Sequence, residues 1–130
     1  MRKTVQILFT MSLGLMVIGL LDTSEAHARK QYRDAMNKVY PDLAKKHGTG
    51  KEGKKSLSCK VCHPGKTKKK RNDYGVALGK AIGKKNEKDE DKLKKAFEKI
   101  AKEKSSKDKE KTFGELIKAE KLPGSEKAAN

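Results

Sequence analysis

The chain reads as all-α. Apolar residues recur at intervals of three and four in several separate stretches, and capping residues stand ahead of those stretches. No segment alternates apolar and polar residues with β-branched enrichment, so no strand is expected. No internal repeat is evident.

Residues 29–46 begin with the helical set Tyr32, Ala35, Met36, Val39 and Leu43. Pro41 cannot donate to the helix ladder, so the spacing predicts a helix to about Val39 and a turn or second short helix from Pro41. Residues 48–55 are rich in Gly and Lys and read as a flexible loop. Asn72 or Asp73 can cap the next helix, whose apolar face is Tyr74, Ala77, Leu78, Ala81 and Ile82. Gly75, Gly79 and Gly83 fall every four residues along it. Each glycine within a helix costs ~1 kcal/mol relative to alanine. Either something approaches this backbone closely, or the helix is weak and frays at Gly83.

Residues 84–88 form a polar linker. Acidic residues 89–91 suit a helix start, and Leu93, Ala96, Phe97, Ile100 and Ala101 give the clearest amphipathic helix of the chain. After a charged linker, 105–111, the sequence Thr112-Phe113-Gly114-Glu115 matches a capping box. Phe113, Leu116, Ile117 and Leu122 form the last apolar face, which Pro123-Gly124 stops. Residues 125–130 read as a flexible tail.

Composition sets a second constraint. Charged residues make up 38% of the 130 and hydrophobic ones 34%, with no Trp. Much of the apolar content sits in the first residues, so the remainder is short of core material. Disorder is one outcome of that shortage, and a large buried apolar cofactor is another. The net charge of +16 raises nucleic acid, an anionic membrane surface or an acidic protein as partner.

Arg2 and Lys3, a mostly apolar run over 5–21, and Ala26-His27-Ala28 have the order of a secretory signal peptide. Residues 1–28 are expected to be cleaved, leaving a domain at 29–124 with no integral membrane span. Export to a periplasm or an equivalent compartment removes nucleic acid from the partners.

Both cysteines fall in Cys59-Lys60-Val61-Cys62-His63, the C-x-x-C-H signature of c-type haem attachment. Two thiols three apart share a face and can add to the two vinyl groups on one porphyrin edge. His63 follows at once, where its imidazole can reach the iron. A structural zinc site needs four ligands, and after cleavage His47 is the remaining histidine or cysteine. A thioredoxin-like dithiol belongs in a βαβ context, which is absent here. The motif therefore predicts one covalent haem c per chain, with His63 as the proximal ligand. The distal ligand stays open among His47, Met36, a lysine and an unoccupied position. His47 would make a bis-histidine haem of lower potential.

The motif, followed by Arg71-Asn72-Asp73-Tyr74-Gly75 and Thr112-Phe113-Gly114-Glu115, resembles short, Lys-rich cytochrome c-like proteins of planctomycete bacteria over residues 57–124. That resemblance implies a small cytochrome c-like helical domain wrapped around the haem, attachment outside the membrane, and one-electron transfer through an exposed porphyrin edge. The common small cytochromes c take a methionine after the motif as distal ligand, and no methionine follows Met36 here. The expected function is a periplasmic one-electron carrier and not an enzyme. The basic run from Lys66 to Arg71 would steer an acidic redox partner. Two rivals stand beside it: a five-coordinate haem protein that binds a small gas or peroxide, and a haem-free basic protein that binds acidic envelope polymers.

Overall fold

Apolar residues at helical spacing wind the chain into α1 (His27–Val39), α2 (Pro41–His47), α3 (Asp73–Ile82), α4 (Glu90–Ile100) and α5 (Phe113–Lys118), with a 3-10 turn at Cys59–Val61. The computed structural model describes residues 27–65 and 68–129. Among them there is no strand, and the two isolated antiparallel bridges pair Thr49 with Ser56 and Lys104 with Thr112. The expected signal peptide lies outside the described residues except for His27 and Ala28, which open α1. No described helix is long and apolar enough to cross a membrane.

Helix α4 is the element the others share, packing against α1, α3 and α5. Its buried face is Leu93, Ala96, Phe97 and Ile100, four of the five residues its spacing predicts; Ala101, the fifth, is the half-buried C-cap. The Asp89 side chain caps it by accepting from the N–H groups of Asp91 and Lys92 at 3.0 and 3.1 Å. Tyr40, between α1 and α2, meets Phe97 edge-on with centroids 6.0 Å apart. Tyr74 on α3 meets Phe113 on α5 in the same way at 5.1 Å. Helix α1 ends at Val39 and Pro41 opens α2, as the proline rule predicts.

Three segments differ from the sequence expectation: two because distant parts of the chain supply hydrogen-bond partners, and one because a local turn ends the helix early. The loop after α2 is pinned: Thr49 and Ser56 exchange N–H···O bonds of 2.9 and 3.0 Å. Asn37 on α1 then accepts from the Leu57 N–H at 2.9 Å and donates to Ser56 Oγ at 2.7 Å. Helix α5 has the expected capping box at Thr112 and Glu115 but stops at Lys118, ahead of Leu122 and Pro123. Its end is a Schellman turn: the Lys121 N–H bonds the Leu116 carbonyl and the Glu120 N–H that of Ile117, both at 2.9 Å, with Glu120 at φ 52°.

Finally, residues 125–129, expected to be a flexible tail, are tied to the start of α3. Ser125 N–H donates to Asp73 Oδ1 at 2.8 Å, and Ala129 N–H donates to the Arg71 carbonyl at 2.8 Å. Asp73 also accepts from the Ser106 N–H and hydroxyl at 2.6 and 2.7 Å. Burial alone would raise the Asp73 carboxyl, but the bonds from Ser125, Ser106 and the Tyr74 N–H outweigh it and hold it below the usual carboxylate range.

Because the folded value lies below the unfolded one, the stabilisation by this carboxylate is full above the ordinary carboxylate range. It disappears as pH falls through the lowered folded value. Asp73→Ala is expected to lower unfolding stability by ~1–3 kcal/mol at neutral pH. Urea titrations across a pH series should show the gap between wild type and variant closing in acid.

Candidate functional site

The motif occupies a turn whose backbone bonds to itself before anything else touches it. Ser58 caps the 3-10 turn by accepting from the Lys60 N–H at 3.3 Å. The N–H groups of Cys62 and His63 both donate to the Cys59 carbonyl, at 3.2 and 2.9 Å. Asn72 then fastens the turn to α3. Its N–H donates to the Cys62 carbonyl at 3.0 Å and its Nδ2 to the Val61 carbonyl at 2.9 Å. The Asn72 Oδ1 accepts from the Gly75 N–H at 2.9 Å, which makes Asn72 the cap of α3.

The regular glycine spacing on α3 has more than one cause. A Cβ on Gly75 would lie 2.5 Å from the Cys62 carbonyl oxygen, so the absence of a side chain lets the turn seat against the helix. At Gly79 an added Cβ would meet the Arg71 guanidinium at 2.5 Å, the movable end of a long side chain. Gly83 sits at φ +69° and ends the helix in the left-handed region.

Turn, α1 and α3 enclose a cleft of about 480 Å³. Cys59, Cys62 and His63 all line it, as do Met36 from α1 and the α3 residues Gly75, Leu78, Gly79 and Ile82. Leu57 and Val61 complete the apolar walls. The cationic lining residues are Arg33, Lys68, Arg71, Lys84 and Lys85, and no acid is among the described lining residues. Of the basic run after the motif, residues 66 and 67 lie outside the described set, Lys69 and Lys70 are exposed, and Lys68 and Arg71 reach the cleft. Lys84 and Lys85, read from sequence as linker, reach it as well, because the chain turns back at Gly83.

Cys59 and Cys62 are free thiols, both half-buried as residues. Burial, and then the neighbouring Cys59, push the Cys62 thiol up to about 12, with Arg71 opposing. His63 Nδ1 lies 3.0 Å from the Lys70 carbonyl oxygen. A carbonyl accepts only, so Nδ1 is the donor in that contact, which in the neutral ring leaves the lone pair on Nε2. Among the described residues no three His, Cys, Asp or Glu side chains converge as they would around a bare metal ion. Cys59, Cys62 and His63 share a cleft without forming a point-like metal cage.

The distal candidates separate in space. Met36 is 3% exposed and lines the cleft. His47 does not line it: its Nε2 donates to the Glu120 carbonyl at 2.7 Å, and the neighbouring Lys46 pairs with the Glu120 carboxylate at 2.9 Å. That pair of contacts holds Glu120 in its left-handed position after α5. Asn37, Asn72 and the Lys70 carbonyl are functional partners that periodicity does not expose. Asn72 had a signal as a cap, whereas the Asn37 contact spans 20 residues and the Lys70 carbonyl reaches His63 through a turn that leaves no helical periodicity.

Comparison of the chain with protein-family models, with curated proteins and with solved structures returns no match.

The glycine geometry separates two substitutions. Gly75→Ala is expected to destabilise the protein by ~1–3 kcal/mol, because backbone must move. Gly79→Ala should be close to neutral or mildly stabilising, because Arg71 can swing aside and alanine favours helix. Denaturant unfolding of the two variants side by side checks the order.

Proposed function

We propose that this chain is an exported one-electron carrier holding a single haem c on Cys59, Cys62 and His63. The observation that carries this reading is that both thiols and the imidazole open into one apolar-walled cleft of about 480 Å³. That size falls within the ~300–1,000 Å³ typical of cofactor sites. The donor set fits the group: paired thiols for its two vinyl positions, an imidazole with its lone pair on Nε2, and cationic side chains for its carboxylates. When bound, haem c supplies an iron that changes oxidation state by one electron.

The chain's own residues would do the rest. Cys59 and Cys62 hold one edge of the macrocycle, and the Lys70 carbonyl orients the His63 ring and makes it a stronger donor. Leu57, Val61, Leu78 and Ile82 keep water from the cleft walls. Lys68, Arg71, Lys84 and Lys85, from segments on either side of α3, place positive charge around the cleft. That field favours an acidic protein as redox partner and makes docking transient and salt-sensitive.

The holoprotein, made in a host with haem c maturation, should give a reversible one-electron wave in voltammetry. An absent wave would overturn the carrier reading. Reversing the rim charges with Lys84→Glu and Lys85→Glu should slow reduction of a small acidic redox protein by roughly tenfold at low ionic strength. The difference should shrink as salt is added. Stopped-flow rates across an ionic-strength series measure it.

A further inference from the structure

Resting on the haem reading above, we propose that the Met36 thioether is the distal iron ligand, delivered from ahead of the attachment motif. Two independent observations lead there. The first is placement. Met36 is 3% exposed and belongs to the wall of the cleft that His63 and both thiols line. The other uncommitted donors of that lining, Lys68, Lys84 and Lys85, are exposed residues. Once both cysteines are thioethers, Met36 is the buried soft donor of the lining, and thioether ligation suits haem iron.

The second is register. Met36 lies in the last turn of α1, where its carbonyl accepts from the Tyr40 N–H at 2.8 Å. The next residue, Asn37, bonds the Leu57 N–H at 2.9 Å and Ser56 Oγ at 2.7 Å, two and three positions before Cys59. The amide therefore couples the turn that carries Met36 to the segment that carries the thiols. Asn37 is a positioning residue for the distal face, as the Lys70 carbonyl is for the proximal one. This gives the loop between α2 and the motif a task, which is to return the chain to α1 in one fixed register. The order along the chain, distal methionine first and attachment motif second, accounts for the lack of any methionine after Met36.

The experiment compares wild-type holoprotein with Met36→Leu, Asn37→Ala, His47→Gln and the Lys84→Ala/Lys85→Ala pair. The readouts are the ferric sulfur-to-iron charge-transfer band and carbon monoxide binding to the ferrous form. Leucine nearly matches methionine in volume, so Met36→Leu should fold. Wild type should show the band and bind carbon monoxide slowly. Met36→Leu should lose the band and bind carbon monoxide rapidly, with the pyridine haemochrome spectrum unchanged. Asn37→Ala should weaken the band, and His47→Gln and the lysine pair should leave it intact. A Met36→Leu spectrum identical to wild type, or a ligand change in the His47 or lysine variants instead, overturns Met36 while leaving the haem reading standing. Rapid carbon monoxide binding by wild type overturns it too and points to an open gas-binding site. A colourless product from wild type and every variant defeats the haem reading itself.

Discussion

The Asn72 side chain is 1% exposed, and an amide in that position must find every partner inside the protein. It does so with three different parts of the chain. Nδ2 donates to the Val61 carbonyl in the motif turn and to the Ser125 carbonyl in the C-terminal segment, while Oδ1 caps α3 at Gly75. Gly124 packs so closely on the amide that a Cβ there would lie 2.2 Å from Nδ2. The position of the thiols relative to α3, and of the C-terminal segment relative to both, therefore depends on one buried side chain. Asp73 repeats the arrangement one residue later with the serines at 106 and 125. A hydrophilic chain with limited apolar mass thus fixes its site by satisfied polar groups as much as by burial.

The apolar part of the structure has a matching division of labour. Helix α4 turns its whole buried face to α1, α3 and α5 and lines none of the cleft. Helices α1 and α3 are held at their backs by α4 and so present Met36, Leu78 and Ile82 to the cleft. A large apolar group placed between them would extend the core that α4 begins. Lys84 and Lys85 reach the cleft because the chain leaves α3 at Gly83 and comes back.

Much of the helical frame was legible in the sequence, since periodicity and capping are local. The end of α1 before Pro41, the face of α4 and the capping box at Thr112 follow from residues within a turn of each other. The cap of α3 was legible to within one residue: Asn72 caps, and Asp73 instead binds distant serines. What stayed hidden was long-range. The Asn37 bonds to residues 56 and 57 leave no periodic trace, so residues 48–55 ahead of them read as a flexible loop. Ser105 is 1% exposed inside a stretch that reads as charged linker, because its hydroxyl donates to the Pro123 carbonyl. The glycine spacing on α3 was visible, but its causes were not. The close-approach reading holds at Gly75 and Gly79, whereas at Gly83 the helix ends in a bonded left-handed cap and does not fray. At the site, the motif residues were legible as a triplet, whereas the separation of Met36 from His47 emerged with the tertiary fold.

The proposed carrier function stands on covalent haem attachment at Cys59 and Cys62 with His63 behind it. Its most direct test is intact mass under denaturing conditions, with a pyridine haemochrome spectrum, on protein exported from a host with haem c maturation. One haem should be added to the mature chain and retained after unfolding and acid extraction, with no free thiol left. A colourless chain with two titratable thiols would contradict it.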